Sequence, residues 1–387
     1  MIRGRGGRGG RGRRSGPYNN WPSRPPHQSF DLWKASEIFP NVRAANKDNA
    51  SNLAKAIVER HGQLLPPAAE TTANSDLLGK VSTILDNFIV MQTGKEKHAL
   101  EEVRPVGSHK LGVNVAGEKE IEIVVIFKQW PTCEDVQTIA EHVKTELIQT
   151  APGLELSITE SGFTLSLNGT KCVCHAATLP DSWTEPNFPG QVKMQAIEFG
   201  LAQIRHTRWF EDNVSHTSTR MLCRILTDIA KRFTGFRQLT PWMVQLLAHQ
   251  SSMVPGQRDA LPIADSLRRS LQFLASGFFL AKNLGIVDPC EPNCYRVHQH
   301  LENNRQDVLC CAAQTLLRWL SHGAEKQVLG LGVSKAADIS MTVKCRGVIV
   351  EPSRTVAEAG GTNTSSEKAG DEAAPAPAIA VPAAAKA

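Results

Sequence analysis

Two glutamates one residue apart carry the clearest chemical signal in this sequence. Glu120 and Glu122 open the run 120–127, whose acid–aliphatic alternation and wholly apolar end predict a central strand. Alternate side chains of a strand lie on one face. The two carboxylates could therefore hold divalent metal ions that bind a triphosphate and activate a hydroxyl. Upstream, Gly107-Ser108 offers a close backbone approach and a hydroxyl for a phosphate.

The third carboxylate of such a metal cage is missing. It should come from the neighbouring strand, predicted over 171–179, which contains no Asp or Glu. Register against Leu179-Pro180 puts the missing acid at Ala177. Glutamate is also one methylene longer than the aspartates expected in an active enzyme, which would shift the metal. We therefore predict a degenerate metal site at the glutamate pair and Ala177, with no bound metal and no catalytic residue.

The glutamate pair also has a simpler interpretation. Two acids at the start of a strand usually form a solvated face, and a Gly-Ser dipeptide alone carries little information. The chemical interpretation is favoured by the order of the parts, in which Gly-Ser precedes the acidic strand and a further strand returns beside it. An active metal-dependent enzyme using Glu120 and Glu122 is the alternative, and Ala177 argues against it.

The elements around these residues predict an α+β unit. Helices follow apolar spacings of three and four residues, and strands follow alternation or short apolar runs. The expected helices and strands are 47–60, 75–91, 101–106, 120–127, 131–149, 154–159, 163–167 and 171–179. This order is that of a nucleotidyltransferase-like mixed sheet with helices.

The second half of the chain is predicted to be all-helical. The expected helices are 193–210, 218–233, 241–250, 263–280 and 308–322. Pro241 is well placed as the first residue of its helix, with Thr240 as the cap. The predicted division is an α+β domain over 29–190 and a helical domain over 191–353.

Both ends of the chain have biased composition. Residues 1–28 are an Arg-Gly-rich segment predicted to be disordered, and residues 354–387 are a disordered Ala/Pro-rich tail. The net charge of +5 comes from residues 1–16, because without the six arginines there 37 basic residues face 38 acidic ones. Arginine pairs with phosphates and stacks on bases, so we predict an RNA-contact tail; the alternative is a solubility or localisation tail. Its arginines are Arg3, Arg5, Arg8, Arg11, Arg13 and Arg14.

The nine cysteines do not predict a metal site. A zinc site needs four ligands from two knuckles at compatible spacing. Neither Cys172-Val-Cys174-His175 nor the pair Cys290 and Cys294 has an evident second knuckle, so buried or loop thiols are favoured. No signal peptide and no transmembrane helix are expected from the sequence.

Basic residues on the helix over 193–210 suggest a nucleotide site. Arg205, His206 and Arg208 could meet a triphosphate through charge-assisted hydrogen bonds. We hypothesise that Gly107 and Ser108, with Arg205 or Arg208, bind ATP or another nucleoside triphosphate without metal. The alternative is a solvated or domain-bridging face.

The helices predicted over 263–280 and 308–322 are apolar around most of their circumference, which indicates that they are buried. An intramolecular core must account for most of it, and a partner surface would explain the excess. The predicted interface residues are Leu271, Phe278, Leu316 and Trp319.

Several runs of the sequence are similar to the DZF-domain family. The match covers about residues 28–353 together with the Arg-Gly segment. The matching runs are 104–110, 204–211, 239–242, 288–291, 296–298, 313–316, 320–323 and 347–350.

The resemblance implies a fold like that of oligoadenylate synthetase, without activity and with no cofactor required. It implies dimerisation through the helical half with a larger DZF protein that carries double-stranded-RNA-binding domains. It also implies a nuclear and nucleolar location, with shuttling to the cytoplasm, and roles in transcription, RNA processing and RNA stability. RNA, and also DNA, would be bound largely through the partner, and no membrane is involved. A sequence-specific transcription factor is disfavoured, because no helix has the basic face of a recognition helix.

Overall fold

The structure is a computed structural model that describes most of the chain between residues 47 and 352. The described ranges are 47–92, 99–183, 190–254, 256, 259–292, 294–332, 343–345, 348–350 and 352. The predicted disordered ends over 1–28 and 354–387, with the six tail arginines, lie outside these ranges. None of the helices in these ranges combines the length and apolar character needed to cross a membrane.

The first half alternates helices and strands as the sequence predicts. In chain order the elements are α1 Lys47–Leu64, α2 Ala68–Met91, β1 Leu100–Val106, the short α3 Gly107–Lys110, β2 Glu120–Phe127, α4 Cys133–Ile148, β3 Glu155–Thr159, β4 Gly162–Leu167 and β5 Thr170–Thr178. Helix α4 begins with a capping box, in which Thr132 and Asp135 bond each other's backbone N–H groups. Helix α2 begins before the predicted residue 75, directly after Pro67. Proline is tolerated at this end of a helix, where its missing N–H would have no helical partner.

The five strands form one mixed sheet in the order β1-β2-β5-β4-β3. Strand β2 runs parallel to β5, and the other neighbours are antiparallel. From Ile121 onward the residues of β2 are buried on both faces apart from Glu122, which is half-buried. This central position explains the continuous apolar run, and the predicted α+β class is confirmed.

The second half is mainly helical. Its elements are α5 Met194–Asn213, α6 Thr217–Arg232, α7 Pro241–Ser252, α8 Ile263–Ala275, α9 Asn303–Ser321, α10 Glu325–Val328 and a hairpin of β6 Val343–Cys345 with β7 Val348–Val350. The Thr240 hydroxyl caps α7 by accepting from the Met243 N–H, and Pro241 is the first helical residue, which confirms that prediction. Helix α8 ends five residues before the predicted Leu280, and Gly277 follows in the left-handed region with φ +79°.

Two hydrophobic cores lie in the described part of the chain, and they do not follow the predicted division at residues 190 and 191. One core covers the sheet and includes Ile197 and Leu201 from α5. The other lies among the helices and includes Phe210 from the far end of α5 and Leu53 from α1. Helix α5 therefore spans both cores, and α1 packs with the helical half.

The four predicted interface residues belong to the interior of the chain itself. Leu271 and Leu316 have no exposed surface, Trp319 is 1% exposed and Phe278 is 7% exposed. All four lie in the helical core. Their prediction as interface residues is wrong, because packing within the helical core leaves these four side chains almost no surface for a partner, although Val308 of α9 stays exposed.

Candidate functional site

Gly107 lies where β1 ends and the short helix α3 begins. Its φ of +79° suits glycine, and a Cβ built there would lie 2.6 Å from Oε1 of Glu122. The chain can thus turn into α3 while the Glu122 side chain lies directly over the backbone. The structure brings together Gly107 and Glu122, as the sequence predicts.

Glu120 and Glu122 project from β2 toward the same side of the sheet, with Glu120 exposed and Glu122 half-buried. Partial burial raises the pKa of Glu120, and the negative charges of Glu122 and then Glu118 raise it further. Crowded carboxylates of this kind are stabilised by a cation. The partner that β5 supplies to Glu122 is a histidine, since His175 Nε2 lies 3.7 Å from Glu122 Oε2.

Ala177 does not lie beside the glutamates, so the position predicted for the missing acid is wrong. The register of β2 with β5 pairs Ala177 with Ile126, four residues beyond Glu122. Ala177 is fully buried beneath Gly200 of α5, where an added Cβ would lie 3.2 Å from the Ala177 Cβ. Leu179-Pro180 could not fix this register, because the register depends on backbone pairing across the sheet. The residue that reaches Glu122 from β5 is His175.

The residues present do not fit the divalent metal site that this fold would imply. Strand β5 directs an imidazole, rather than a carboxylate, toward Glu122, and Glu122 itself is folded against Gly107. Mg²⁺ binds carboxylate and phosphate oxygens in near-ideal octahedral geometry and is poorly served by a histidine. We therefore derive no metal-dependent step at this position.

Ser108 is engaged by an acid that the sequence analysis did not consider. The Ser108 hydroxyl donates to Glu118 Oε1 at 3.2 Å, and the Val115 N–H donates to Glu118 Oε2 at 3.2 Å. Lys231 Nζ of α6 lies 3.6 Å from the same carboxylate oxygen. A carboxylate of the protein therefore occupies the position beside Gly-Ser at which the sequence analysis expected a phosphate.

Arg205 and Arg208 make their contacts away from Ser108. Arg205 pairs with Glu291, and Arg208 is largely exposed, 3.9 Å from Asp212 on its own helix. The cations next to the Gly-Ser segment come instead from α6. Arg224 donates to the carbonyls of Gly112, at 2.6 Å, and Asn114, at 3.0 Å.

Helix α6 was predicted as an element, but its role was missed. Its basic residues Arg220, Arg224 and Lys231 are spaced four and seven residues apart and therefore share a face. Arg220 extends to within 3.8 Å of a Cβ built at Gly112. This spacing was the signal in the sequence that could have identified the basic wall of the cleft.

These groups form a cleft that we define by Gly107, Ser108, Glu118, Glu122 and Lys231. It combines a glycine turn, a hydroxyl, two acids and a lysine, with His175 behind Glu122. It does not assemble the carboxylates of a two-metal phosphoryl-transfer site.

Two family models cover most of the chain. The model of the DZF N-terminal domain matches residues 12–215, and that of the DZF C-terminal domain matches residues 218–351. The break between them follows α5, which is the helix that spans both cores.

Solved structures share the fold at low identity. CdnC of E. coli MS115-1, in a complex with HORMA-deltaN, has a TM-score of 0.54 and 12% identity, covering 73% of this chain and 98% of CdnC. The structure of that CdnC with ATP has a TM-score of 0.51 and 13% identity at the same coverage. Cid1, an RNA terminal uridylyl transferase, has a TM-score of 0.43 and 11% identity over 58% of this chain and 73% of its own.

At these identities the likeness shows the fold alone, and that fold is nucleotidyltransferase-like. The two family matches together span both cores and the cleft between Gly107 and Lys231. The chain belongs to the DZF family.

Proposed function

We propose that this chain is a catalytically inactive, nucleotidyltransferase-like subunit that forms a heterodimer with a larger DZF protein carrying double-stranded-RNA-binding domains. In that role it acts in the nucleus in transcription regulation and in RNA processing and stability. It meets RNA, and also DNA, largely through the partner and through its arginine-rich segment. The observation that carries the inactive assignment is the register of β5, which brings His175 to Glu122 where a third carboxylate is needed.

Two further contacts support loss of activity. Glu118 accepts the Ser108 hydroxyl and lies beside Lys231, so it competes with any phosphate for these donors. Glu122 is held over Gly107 and beside His175. A phosphoryl-transfer site that relies on two metals needs its acids free to bind them. Here the same acids are used in contacts within the chain.

An incorporation assay tests this proposal. The full chain, alone and with its partner, is incubated with labelled nucleoside triphosphates, Mn²⁺ and an RNA acceptor. We expect no incorporation by the wild type. Incorporation that disappears in Glu122→Ala but persists in Glu155→Ala would establish the alternative, an active enzyme, since Glu155 is an exposed acid on the outer strand β3.

The surface that meets the partner must lie outside the helical core. Exposed apolar side chains in the second half are Val287, Val308 and Ile349, with 46%, 39% and 64% of their surface exposed. Val287 lies directly before Asp288, Val308 on α9 and Ile349 on β7, and such side chains are candidates for burial by another protein. We expect co-purification from nuclei to recover a larger DZF protein, and Val308→Asp to weaken its recovery more than Val58→Asp on α1.

A second proposed property is nucleotide binding without metal. The basic face of α6 and the Gly107-Ser108 turn supply donors for a phosphate chain, with Lys231 as the exposed cation. Arg205 and Arg208 are less suited, because their contacts lie elsewhere. The CdnC structure that contains ATP shares this fold. Heat on titration with ATP in EDTA is the expected result, and its absence in the folded heterodimer would remove this property.

A further inference from the structure

A second group of polar side chains lies away from the cleft, where α5 meets a loop that precedes α9. We call the loop the Asp288 loop, residues 286–292 and 294–297. Its two ends are joined by the Asp288 N–H, which donates to the Tyr295 carbonyl at 2.7 Å, and by a bridge between Val287 and Arg296. The ion pair of Arg205 with Glu291 holds the intervening residues against the C-terminal half of α5.

Three potential metal ligands converge at this contact. The ligand atoms of His206, Asp288 and Cys290 all lie within 4.8 Å of one another, and His206 Nε2 is 3.8 Å from Asp288 Oδ2. Zinc–ligand bonds of about 2.0–2.3 Å in a tetrahedron place ligand atoms roughly 3.3–3.7 Å apart. A contraction of at most about 1.1–1.5 Å would therefore complete the geometry. In the described part of the chain this is the one group of three or more such residues that converges.

His206 supplies the observation that points to a ligand. It is 7% exposed, and its Nε2 has no hydrogen-bond partner among the residues that the structure describes. A buried polar atom without a partner costs about 1–3 kcal/mol. An imidazole nitrogen that makes no hydrogen bond is available as a metal ligand.

Neighbouring residues hold the His206 ring and the Asp288 carboxylate in fixed orientations. The His206 ring stacks on Trp242 with centroids 4.0 Å apart. Trp242 Nε1 donates to Asp288 Oδ2 at 2.8 Å, and the Cys290 N–H donates to Asp288 Oδ1 at 2.8 Å. Groups that hydrogen-bond a ligating carboxylate or fix a ligating ring orient it toward the metal.

We propose that His206, Asp288 and Cys290 bind one Zn²⁺ ion, which fastens the Asp288 loop to α5. Nitrogen, oxygen and sulfur ligands in one site favour zinc over Mg²⁺ or Ca²⁺, which take oxygen ligands. Water completes the tetrahedron through the side on which Cys290 is partly exposed.

The charges of the site balance when the metal is bound. Without a metal the Cys290 thiol donates to the Arg205 carbonyl, 3.5 Å away. On binding, the S–H proton passes to solvent and the sulfur–zinc bond forms. One carboxylate and one thiolate then neutralise the dication, while Arg205 remains paired with Glu291.

Cys294 provides a matched control within the same loop. It is exposed, it lies outside the converging group, and it has the same thiol chemistry as Cys290. Sequence spacing alone would pair Cys294 with Cys290 as metal ligands. Comparing variants of the two cysteines therefore distinguishes the site formed with His206 and Asp288 from a site formed by the two cysteines.

The test uses the full chain purified without chelators, then stripped and reloaded with Zn²⁺ or Co²⁺. We expect one zinc per chain by elemental analysis, and with Co²⁺ a thiolate-to-cobalt absorption band together with tetrahedral d–d bands. Cys290→Ser should lose the thiolate band and weaken zinc binding by more than the roughly 10–100-fold typical of a lost supporting contact. Cys294→Ser should leave both unchanged.

Circular dichroism of the stripped variants checks that both remain folded, and His206→Gln provides a second ligand loss that keeps the thiol. The proposal fails if the reloaded wild type holds no zinc against a weak chelator. It also fails if Cys290→Ser and Cys294→Ser bind the metal equally, in which case the group is a hydrogen-bonded contact and nothing more. Neither outcome bears on the inactive cleft, which is a separate site.

Discussion

Two polar sites of the chain, the cleft at Ser108 and the cluster of His206, Asp288 and Cys290, differ in whether their polar atoms have hydrogen-bond partners within the chain. We call the second site the His206 cluster. In the cleft, Ser108 donates to Glu118, and Glu122 lies against His175 and Gly107. In the cluster, the buried His206 Nε2 has no partner in the described part of the chain. A polar site that satisfies itself is stable without a ligand, whereas one that leaves a buried nitrogen unpaired gains by binding one.

Position in the fold accounts for part of this difference. The cleft lies where β1, β2 and α6 approach, and its acids stay in reach of water and of Lys231. The cluster lies under Trp242 and behind the Asp288 loop, where Asp288 is 4% exposed. Loss of one residue should therefore cost much less stability in the cleft than in the cluster.

The largest effect is expected for Asp288→Ala, measured by urea unfolding in EDTA. It removes the acceptor of the Trp242 Nε1–H and of the Cys290 N–H. Each lost partner costs about 1–3 kcal/mol, and relief of the buried charge offsets part of this, so we expect about 2–3 kcal/mol. Glu122→Ala should cost less than about 1 kcal/mol, because its contact with His175 is partly solvated. Equal costs would contradict the contrast between the two sites.

The second effect is a pH dependence of stability that originates in the cluster. The pKa of His206 falls from 6.5 to about 3 on folding, because burial disfavours the charged ring. The unfolded chain therefore binds the extra proton first, and stability is lost as the pH falls from about 6.5 toward 3. Between pH 7 and 5 this amounts to about 2 kcal/mol.

Urea midpoints of the metal-free protein across this pH range measure the effect, and His206→Gln should flatten the slope. The pKa of His298 is also lowered by burial, to about 4, so part of the slope remains in the variant. If wild type and His206→Gln have the same slope, the ring is not buried in its neutral form.

Local sequence patterns predicted most of the helices and strands, because the spacing of apolar residues reflects which face of each element is buried in the fold. Thr240 and Pro241 fixed the start of α7 because capping depends on neighbouring residues alone. The end of α8 was missed because apolar residues continue past Gly277, where the backbone turns. Burial of Leu316 and Trp319 was correctly expected, but periodicity cannot tell a partner from the chain's own core.

Contacts between distant residues were beyond these patterns. The place of Ala177 depends on the pairing of β5 with β2, and a shift of two residues along β5 replaces one neighbour of Glu122 with another. Cys290 was paired with Cys294 because ligand spacing is read along the chain. Its neighbours in space are His206 from α5 and Asp288, and no spacing rule joins a helix to so distant a loop.

The smallest effect is expected for Glu118→Gln, which tests whether the cleft is closed by its own anion. The variant keeps the size of the side chain and an acceptor for Ser108, but removes the charge that faces Lys231. Removing a competing carboxylate from a partly solvated site is worth about 1 kcal/mol or less, which corresponds to an up to roughly fivefold tighter Kd for ATP in EDTA. Lys231→Ala should weaken binding by a similar factor, and Glu155→Gln should change nothing. If Glu118→Gln binds ATP no better than wild type, Glu118 is not a stand-in for phosphate, and the cleft is polar surface without a ligand.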